Sequence, residues 1–289
     1  MRVTDPVLSK MKLLASGWQT EIYDLDGRRA LRVFRRLEDE PLAKYEMGVM
    51  QSLKAAGFNV AQVYAYRMVD ARPALEVEWL SGETMLARMK REVLRLGHHA
   101  TALARLHCEI GAFDVDFPLN DAKSVSSYLI GRSKVLDQSL KDFVLRVLDE
   151  VPDGASLCHG DFHPGNIVES NDRMYVIDWV GATKGLFLSD IARTYLTLSG
   201  APQPSGAPAA HRLLARALGR TVAHTYLKTV YGILKLDWAQ FSKWLVVCGA
   251  ERTSYGLPAE EARLVGFLRD SHRKWKEGSV HPERWYRRI

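Results

Sequence analysis

The residues best suited to chemistry lie in CHGDFHPGNIVESNDRMYVIDW, residues 158–179, which places Asp161, Asn166 and Asp178 close together in the chain beside Cys158, His159 and His163. The runs 167–169 and 174–177 flank Ser170, Asn171, Asp172 and Arg173, three of which favour turns, so the segment predicts a hairpin with a four-residue loop. Pairing Glu169 with Met174 sets Asn166 beside Ile177 and Asp178. Opposed residues of antiparallel strands have Cα atoms ~5 Å apart, so an amide oxygen and a carboxylate converge at the open end. Two hard oxygen ligands suit Mg²⁺ or Mn²⁺ but are too few to hold it alone; the remainder must come from a ligand such as a nucleotide phosphate. Asp161, on the glycine- and proline-bounded loop GDFHPG, is then a natural acceptor for a substrate hydroxyl proton. Zinc held by Cys158, His159 and His163, a Cys158–His159 nucleophile, and a loop closed by side-chain hydrogen bonds without catalysis are the rival readings.

These residues need elements to hold them. MKLLASG, TEIYDLDG and RRALRVFRR alternate apolar and polar positions, and Asp26-Gly27 is a strong two-residue hairpin signal. LEDEPLAKYEMGVMQSLKAAG follows with helical spacing and stops at Gly57, and VAQVYAYRMV and ALEVEWLSG read as two more strands joined near residues 70–73. On the helix, positions 42, 46, 49, 50 and 53 share one face, which sets Glu46 in an apolar stripe where it needs a cationic partner. Strand alternation puts Arg32 on one face with Ala30 and Phe34, making it the leading partner for Glu46. Held there, Arg32 either binds nucleotide phosphates or serves only as a structural ion pair. From about residue 84 the pattern is largely helical, interrupted by the hairpin, and APQPSGAPA at 201–209 reads as a loop between helices. The expected architecture is α+β: a small antiparallel sheet lobe with one helix at 1–82, a larger mainly helical lobe at 83–289, and a cleft near 78–84.

The 289 residues carry a net charge of +6, unevenly spread. From residue 181 on, seventeen Lys and Arg stand against eight Asp and Glu, a local +9 that leaves −3 for the first 180 residues. The basic end RKWKEGSVHPERWYRRI interleaves Trp275, Trp285 and Tyr286 with cations, a composition open to polyanions, but it lacks a nucleic-acid motif and reads as a solvated basic helix and tail. Three cysteines fit neither a disulfide framework nor a zinc knuckle, which points to reduced thiols in the cytoplasm. The N-terminal sequence reads as part of the fold, without the apolar run of a signal peptide or membrane anchor.

HGDFHPGN followed by VIDW resembles the Brenner-type catalytic loop and metal-binding segment of the aminoglycoside phosphotransferase and choline kinase group, relatives of protein kinases. The likeness extends along most of the chain, through the Gly17 turn, RALRVF, Glu46, VEWLSG, ALARLH and SDIART. The resemblance implies a bilobal protein-kinase-like fold and ATP- or GTP-dependent, Mg²⁺-assisted phosphoryl transfer to a small-molecule hydroxyl. Asp161 would be the catalytic base, and Asn166 and Asp178 the metal ligands. Gly17 would lie in the nucleotide-covering turn, Arg32 and Glu46 at the phosphates, and the Glu78 carbonyl and Leu80 N–H at adenine. His159 would support the loop and Asp190 would orient its backbone from the next helix. Two departures stand out: Arg32 replaces the family's usual Lys, and the turn SGWQTEIY has one glycine. The acceptors to be weighed are an aminoglycoside or other antibiotic, a choline-like amino alcohol bound by Trp238, Trp244, Tyr255 and Trp275, and a sugar. A nucleotide-binding pseudokinase, a protein kinase and a polyanion binder are the alternative functions.

Overall fold

The computed structural model describes residues 8–113, 117–200 and 209–277. The loop expected at 201–209 lies outside these but for its last residue, as do Trp285 and Tyr286 of the basic end. The chain divides into two compact units, Met1–Lys90 with Pro164–Ala182 and Arg91–His163 with Thr183–Ile289.

The first unit is built on a five-stranded antiparallel sheet in the order β1-β2-β3-β5-β4, from β1 (Leu13–Ser16), β2 (Thr20–Asp24), β3 (Arg29–Phe34), β4 (Val63–Val69) and β5 (Arg72–Glu78). The Asp26-Gly27 signal does mark a hairpin, but its loop has three residues rather than two: Asp24 pairs with Ala30 and the Leu25 amide donates to the Arg29 carbonyl, leaving Asp26, Gly27 and Arg28 between, with Gly27 at φ +76° and the Asp26 carboxylate accepting from the amides of Arg28 and Arg29. Helix α1 (Glu40–Ala55) starts with Pro41 in its first turn, and Gly57 at φ +86° follows its end. Its buried face is Ala43, Glu46, Val49, Met50 and Leu53. Leu42, expected on that face, is exposed; the register that buries Ala43, Glu46, Met50 and Leu53 at i, i+3, i+7 and i+10 turns position 42 outward. In β3, Leu31 and Val33 join a core with Leu8, Val69 and Ala74, and alternation sends Arg32 to the opposite face, where it meets α1.

A second, three-stranded sheet of this unit, β6-β8-β9, holds the expected hairpin: β6 (Glu83–Thr84), β8 (Ile167–Ser170) and β9 (Arg173–Val176). Glu169 pairs with Met174 as expected. The loop is shorter, because Ser170 also pairs with Arg173 and leaves Asn171 and Asp172 as a two-residue turn with φ of 50° and 57°. The pairing of β6 with β8 requires Gly82, since a Cβ there would lie 1.7 Å from the Glu169 carbonyl oxygen.

The second unit is mainly helical, with α3 (Leu96–Gly111), α4 (Ala122–Arg132), α5 (Gln138–Glu150), α6 (Leu188–Ser199), α7 (Ala209–Leu234), α8 (Trp238–Arg252) and α9 (Pro258–Lys276); the short α2 (Met85–Arg91) ends at the division between units. Helix α3 packs on α7, and α6 on α7 and α8. The only strands described in this unit are the short antiparallel pair β7 (Ser156–Cys158) and β10 (Thr183–Gly185), which pairs Cys158 with Thr183. Among the described residues, no helix is long and apolar enough to cross a membrane.

Candidate functional site

In the first unit, strand β3, helix α1 and the segment after β9 bring charges together. Glu46 is fully buried and its Oε1 meets Arg32 Nη1 at 2.8 Å, so the pair expected from the sequence is present. The same oxygen accepts the Trp179 backbone N–H at 3.0 Å. The other arm of the guanidinium, Nη2, donates to Asp178 Oδ1 at 2.7 Å. Arg32 thus bridges two carboxylates, one on a helix and one after a hairpin, using its fork in a way that a lysine ammonium does not reproduce. Burial disfavours the guanidinium charge, but Glu46 and Asp178 outweigh that and hold it cationic. Burial, followed by the Asp178 charge, pushes the Glu46 carboxyl up to about 7 against the pull of Arg32 and the Trp179 amide. Glu46 Oε2 and Arg32 Nε are buried without a hydrogen-bond partner among the described residues.

Asp178 stands in the left-handed region, φ 67° and ψ 61°. The other non-glycine residues with positive φ lie in the 70–71 and 171–172 turns or, for Lys235, just past the end of α7, so Asp178 is the exception whose backbone strain falls on a functional candidate. Trp179 anchors the residue after it: the indole is buried, donates to the Val176 carbonyl and meets Phe58 edge to face at 5.7 Å. The Ile177 amide donates to the Asn166 carbonyl at 2.9 Å, which sets Asn166 at the open end of the hairpin one residue from Asp178. An amide oxygen and a carboxylate about one-third exposed are a donor set that suits a hard divalent cation completed by ligand oxygens. Gly17 lies in the turn between β1 and β2, and its carbonyl accepts from Arg35 Nε and Nη2 at 3.2 and 2.9 Å. Glu78 closes β5, bonded in both directions to Gln62, and Leu80 is buried in the connection to β6.

In the second unit, the backbone after β7 is held from α6. Asp190, in the first turn of that helix, is fully buried; its Oδ2 accepts the His159 amide at 2.6 Å and its Oδ1 the Gly160 amide at 2.9 Å. Gly160 sits at φ +83°, a conformation that costs a side-chain-bearing residue, and this turns both amides toward one carboxylate. Burial raises the Asp190 carboxyl, but the hydrogen bond and charge of His107, with Arg193 and His159, hold it well below the usual carboxylate range. His159 Nδ1 accepts the Asp161 amide at 3.2 Å, and Thr194 Oγ1 donates to the Phe162 carbonyl at 2.9 Å. Asp161 presents a side chain about half exposed (52%), 3.6 Å from His163 Nε2. Its surroundings disfavour the charge, yet His163, His159 and Arg252 keep its carboxyl below the ordinary value, so it is an anion at neutral pH.

The zinc and thiolate readings do not survive this geometry. His159 Nδ1 is occupied by the Asp161 amide, and burial pushes the Cys158 thiol up to about 12, far from a thiolate. The described residues contain no cluster of three or more His, Cys, Asp or Glu arranged to hold a metal. Three of the four aromatic residues weighed as a choline cage are taken up in packing, Trp244 fully buried, Trp238 stacked on Tyr231 and Trp275 edge to face with Phe143, while Tyr255 is exposed. The residues that sequence reasoning passed over are His107, Tyr226 and Arg193. Their signal was polar residues at helical positions otherwise apolar, as with His107 between Leu106 and Cys108 on α3.

Comparison with known proteins follows the same lines. The model of the phosphotransferase enzyme family matches residues 10–226. No curated protein matches by sequence. Among solved structures, the chain is similar to an aminoglycoside-3′-phosphotransferase of type VIII, with 18% identity, 88% of this chain and 92% of that one covered, and a TM-score of 0.63. It is also similar to amicoumacin kinase, solved with AMP-PNP and Ca²⁺, at 17% identity, 92% and 89% coverage and a TM-score of 0.57. A choline/ethanolamine kinase family protein from Mesorhizobium loti shares 13% identity over 96% and 90% of the two chains, with a TM-score of 0.54. Spanning three quarters of its length, the family match carries the conclusion that this chain belongs to the phosphotransferase enzyme family, with a protein-kinase-like fold.

Proposed function

We propose that the protein is a small-molecule kinase that transfers the γ-phosphoryl group of ATP to a hydroxyl. The observation that carries this reading is Asp161: an ionised, half-exposed carboxylate on a backbone whose preceding amides are fixed by a buried aspartate. Phosphoryl transfer asks little covalent chemistry of a protein and much positioning, so a clamped carboxylate that accepts the acceptor's hydroxyl proton is the part this chain supplies. Asn166 and Asp178 would hold Mg²⁺, which when bound offsets charge on the nucleotide phosphates. Arg32, held by Glu46, supplies a fixed cation for those phosphates, and the Glu78 carbonyl, Leu80 amide and Gly17 turn are assigned to the nucleotide. Support for nucleotide use comes from the similar structures solved with AMP-PNP, ADP or GDP.

The acceptor is a hydroxylated small molecule. Solved relatives include complexes with hygromycin B, kanamycin and streptomycin, which makes antibiotics the first class to test. The +9 surplus after residue 181 disfavours a strongly polycationic acceptor relative to a neutral one. One contact favours a second reading: Arg32 occupies Asp178 Oδ1, and a protein that keeps this bond would bind nucleotide without turning it over. A panel of hydroxyl acceptors assayed for Mg²⁺-dependent ATP consumption separates the two. Wild type should turn over at least one acceptor, and Asp161→Asn should lose about 10²–10⁴-fold in kcat. Nucleotide-induced thermal stabilisation with no turnover across the panel would establish the second reading, and an Asp161→Asn variant as active as wild type would refute the role of Asp161.

A further inference from the structure

The basic end of the chain has no part in the chemistry proposed above, yet its helical portion carries cations on one face. Arg269, His272, Arg273 and Lys276 of α9 follow one another at i, i+3, i+4 and i+7, and with the start of α5 they line an open cavity of about 300 Å³. Like charges three and four residues apart on a helix repel, so this face works against α9 itself. The helix dipole favours cations in the last turn, which accounts for Arg273 and Lys276 but not for Arg269, seven positions before Lys276. Nor does a dipole explain why the same side chains border a cavity.

Arg273 is already engaged, donating from Nη2 to Asp270 Oδ1 at 2.7 Å and from Nη1 to Glu277 Oε1 at 3.2 Å. Arg269 and Lys276 are exposed and have no carboxylate partner among the described residues, and the same holds for Arg146 on α5. The one acid in the lining, Asp137, is committed to α5, where its carboxylate accepts the Leu140 amide at 2.9 Å. The less polar part of the lining is the buried Leu140 and the His272 ring, which stacks on Phe143 with centroids 4.6 Å apart and planes 15° from parallel. Burial, then the charges of Lys276 and Arg146, hold the His272 imidazole below its usual value against the pull of Asp137, so the potential at the ring is positive. We infer that this cavity binds a small phosphate monoester, with the phosphoryl group on Arg269 and Lys276 and the body of the molecule against Leu140 and His272. Two unpaired cations match a phosphate dianion, and the guanidinium fork suits its oxygens. The volume lies at the lower end of the range for small-molecule sites, and Asp137 opposes a run of further phosphates. None of the lining residues is assigned to phosphoryl transfer, so the site stands apart from the kinase reading.

The test follows the His272 ring by NMR in the full-length protein at low ionic strength, with phenyl phosphate as the probe; the signal missing from His272→Gln assigns it. Saturating phenyl phosphate should raise the His272 titration midpoint by about half a pH unit or more, because an adjacent anion favours the imidazolium. The double variant Arg269→Gln/Lys276→Gln should bind the probe at least about tenfold more weakly. Arg216→Gln/Arg220→Gln on α7 removes the same charge from two other exposed positions and should weaken binding less than about twofold, the effect of net charge alone. All four substitutions are at exposed side chains, so the fold is retained. A His272 midpoint that phenyl phosphate does not move would overturn the inference, and equal losses in the two double variants would reduce it to non-specific charge. Inorganic phosphate should bind more weakly than phenyl phosphate; equal affinity would remove Leu140 and His272 from the site. A single-stranded RNA oligonucleotide that displaces phenyl phosphate, with an affinity falling steeply with salt, would replace the small-molecule site by a nucleic-acid surface.

Discussion

Glu46 in the first unit and Asp190 in the second are both fully buried carboxylates, and their environments drive them in opposite directions. Asp190 is surrounded by donors: two backbone amides, an imidazole N–H and the nearby Arg193 at 3.8 Å. Glu46 has one amide and one guanidinium arm on a single oxygen, the second oxygen unmatched, and a rival anion in Asp178 on the same guanidinium. Desolvation penalises both; only at Asp190 do the hydrogen bonds and charges exceed it. One unit thus uses its buried acid as a rigid fastening for backbone, while the other keeps its acid in a strained balance centred on Arg32. On the kinase reading proposed above, the first arrangement would fix a proton acceptor and the second would have to accommodate phosphates and a cation.

If this contrast is right, removing the fastening does the most damage. Asp190→Ala strips two amides and His107 of their acceptor and leaves Arg193 with Glu251 alone, so unfolding free energy by chemical denaturation should drop by about 3–5 kcal/mol. A loss under about 1 kcal/mol would erase the distinction. The next effect is a pH dependence of opposite sign in the two units. The Glu46 carboxyl, raised from 4.5 to about 7, contributes stability that is complete below pH 4.5 and is lost as pH rises through about 7. Asp190, held below its ordinary 3.8, contributes stability present above pH 3.8 that is lost as pH falls through its lowered value. Denaturation midpoints of wild type and Glu46→Gln between pH 4.5 and 8 isolate the first: the variant should lose a decline on the order of 3 kcal/mol across that window. An identical slope in both proteins would mean that Glu46 titrates normally.

The part of this contrast that sequence reveals is local. The Asp26-Gly27 turn, the Glu169–Met174 register and the buried Glu46 with Arg32 as partner all follow from turn chemistry and from strand and helix periodicity within about twenty residues. What periodicity cannot convey is contact across long chain separations. The Arg32–Asp178 bond joins residues 146 apart and the His107–Tyr226 bond residues 119 apart, and neither partner's immediate neighbours hint at the other. Strands of two or three residues such as β6, β7 and β10 are too short to show alternation; their pairing depends on close backbone approach, as at Gly82. A third effect tests that point, because Gly82→Ala puts a methyl into the Glu169 carbonyl and should cost about 1–3 kcal/mol by the same denaturation measurement. A neutral result would show that β6 can separate from β8 without loss.

The smallest effect concerns the Gly17 turn, where the first unit's preference for arginine bridges recurs at the surface. Arg35 donates to the Gly17 carbonyl, to Ser16 Oγ and to Glu21, and Glu21 also pairs with Arg72, whose Nε reaches the Phe34 carbonyl. With its side chain 39% exposed, Arg35 makes these bonds in competition with water, so Arg35→Ala should lower global stability by less than about 1 kcal/mol. The local consequence should be larger than the global one. Gly17 has a negative φ and one backbone hydrogen bond from its own amide to Thr20, so without Arg35 its carbonyl side is released, and amide exchange over residues 16–20 should rise while the α1 amides stay protected. The Gly17 turn would then be held by a bridge weak enough to break, in contrast to the buried Asp190 fastening. If Arg35→Ala left exchange in the turn unchanged, the β1–β2 pairing alone would hold it and the arginine bridge would have no mechanical role.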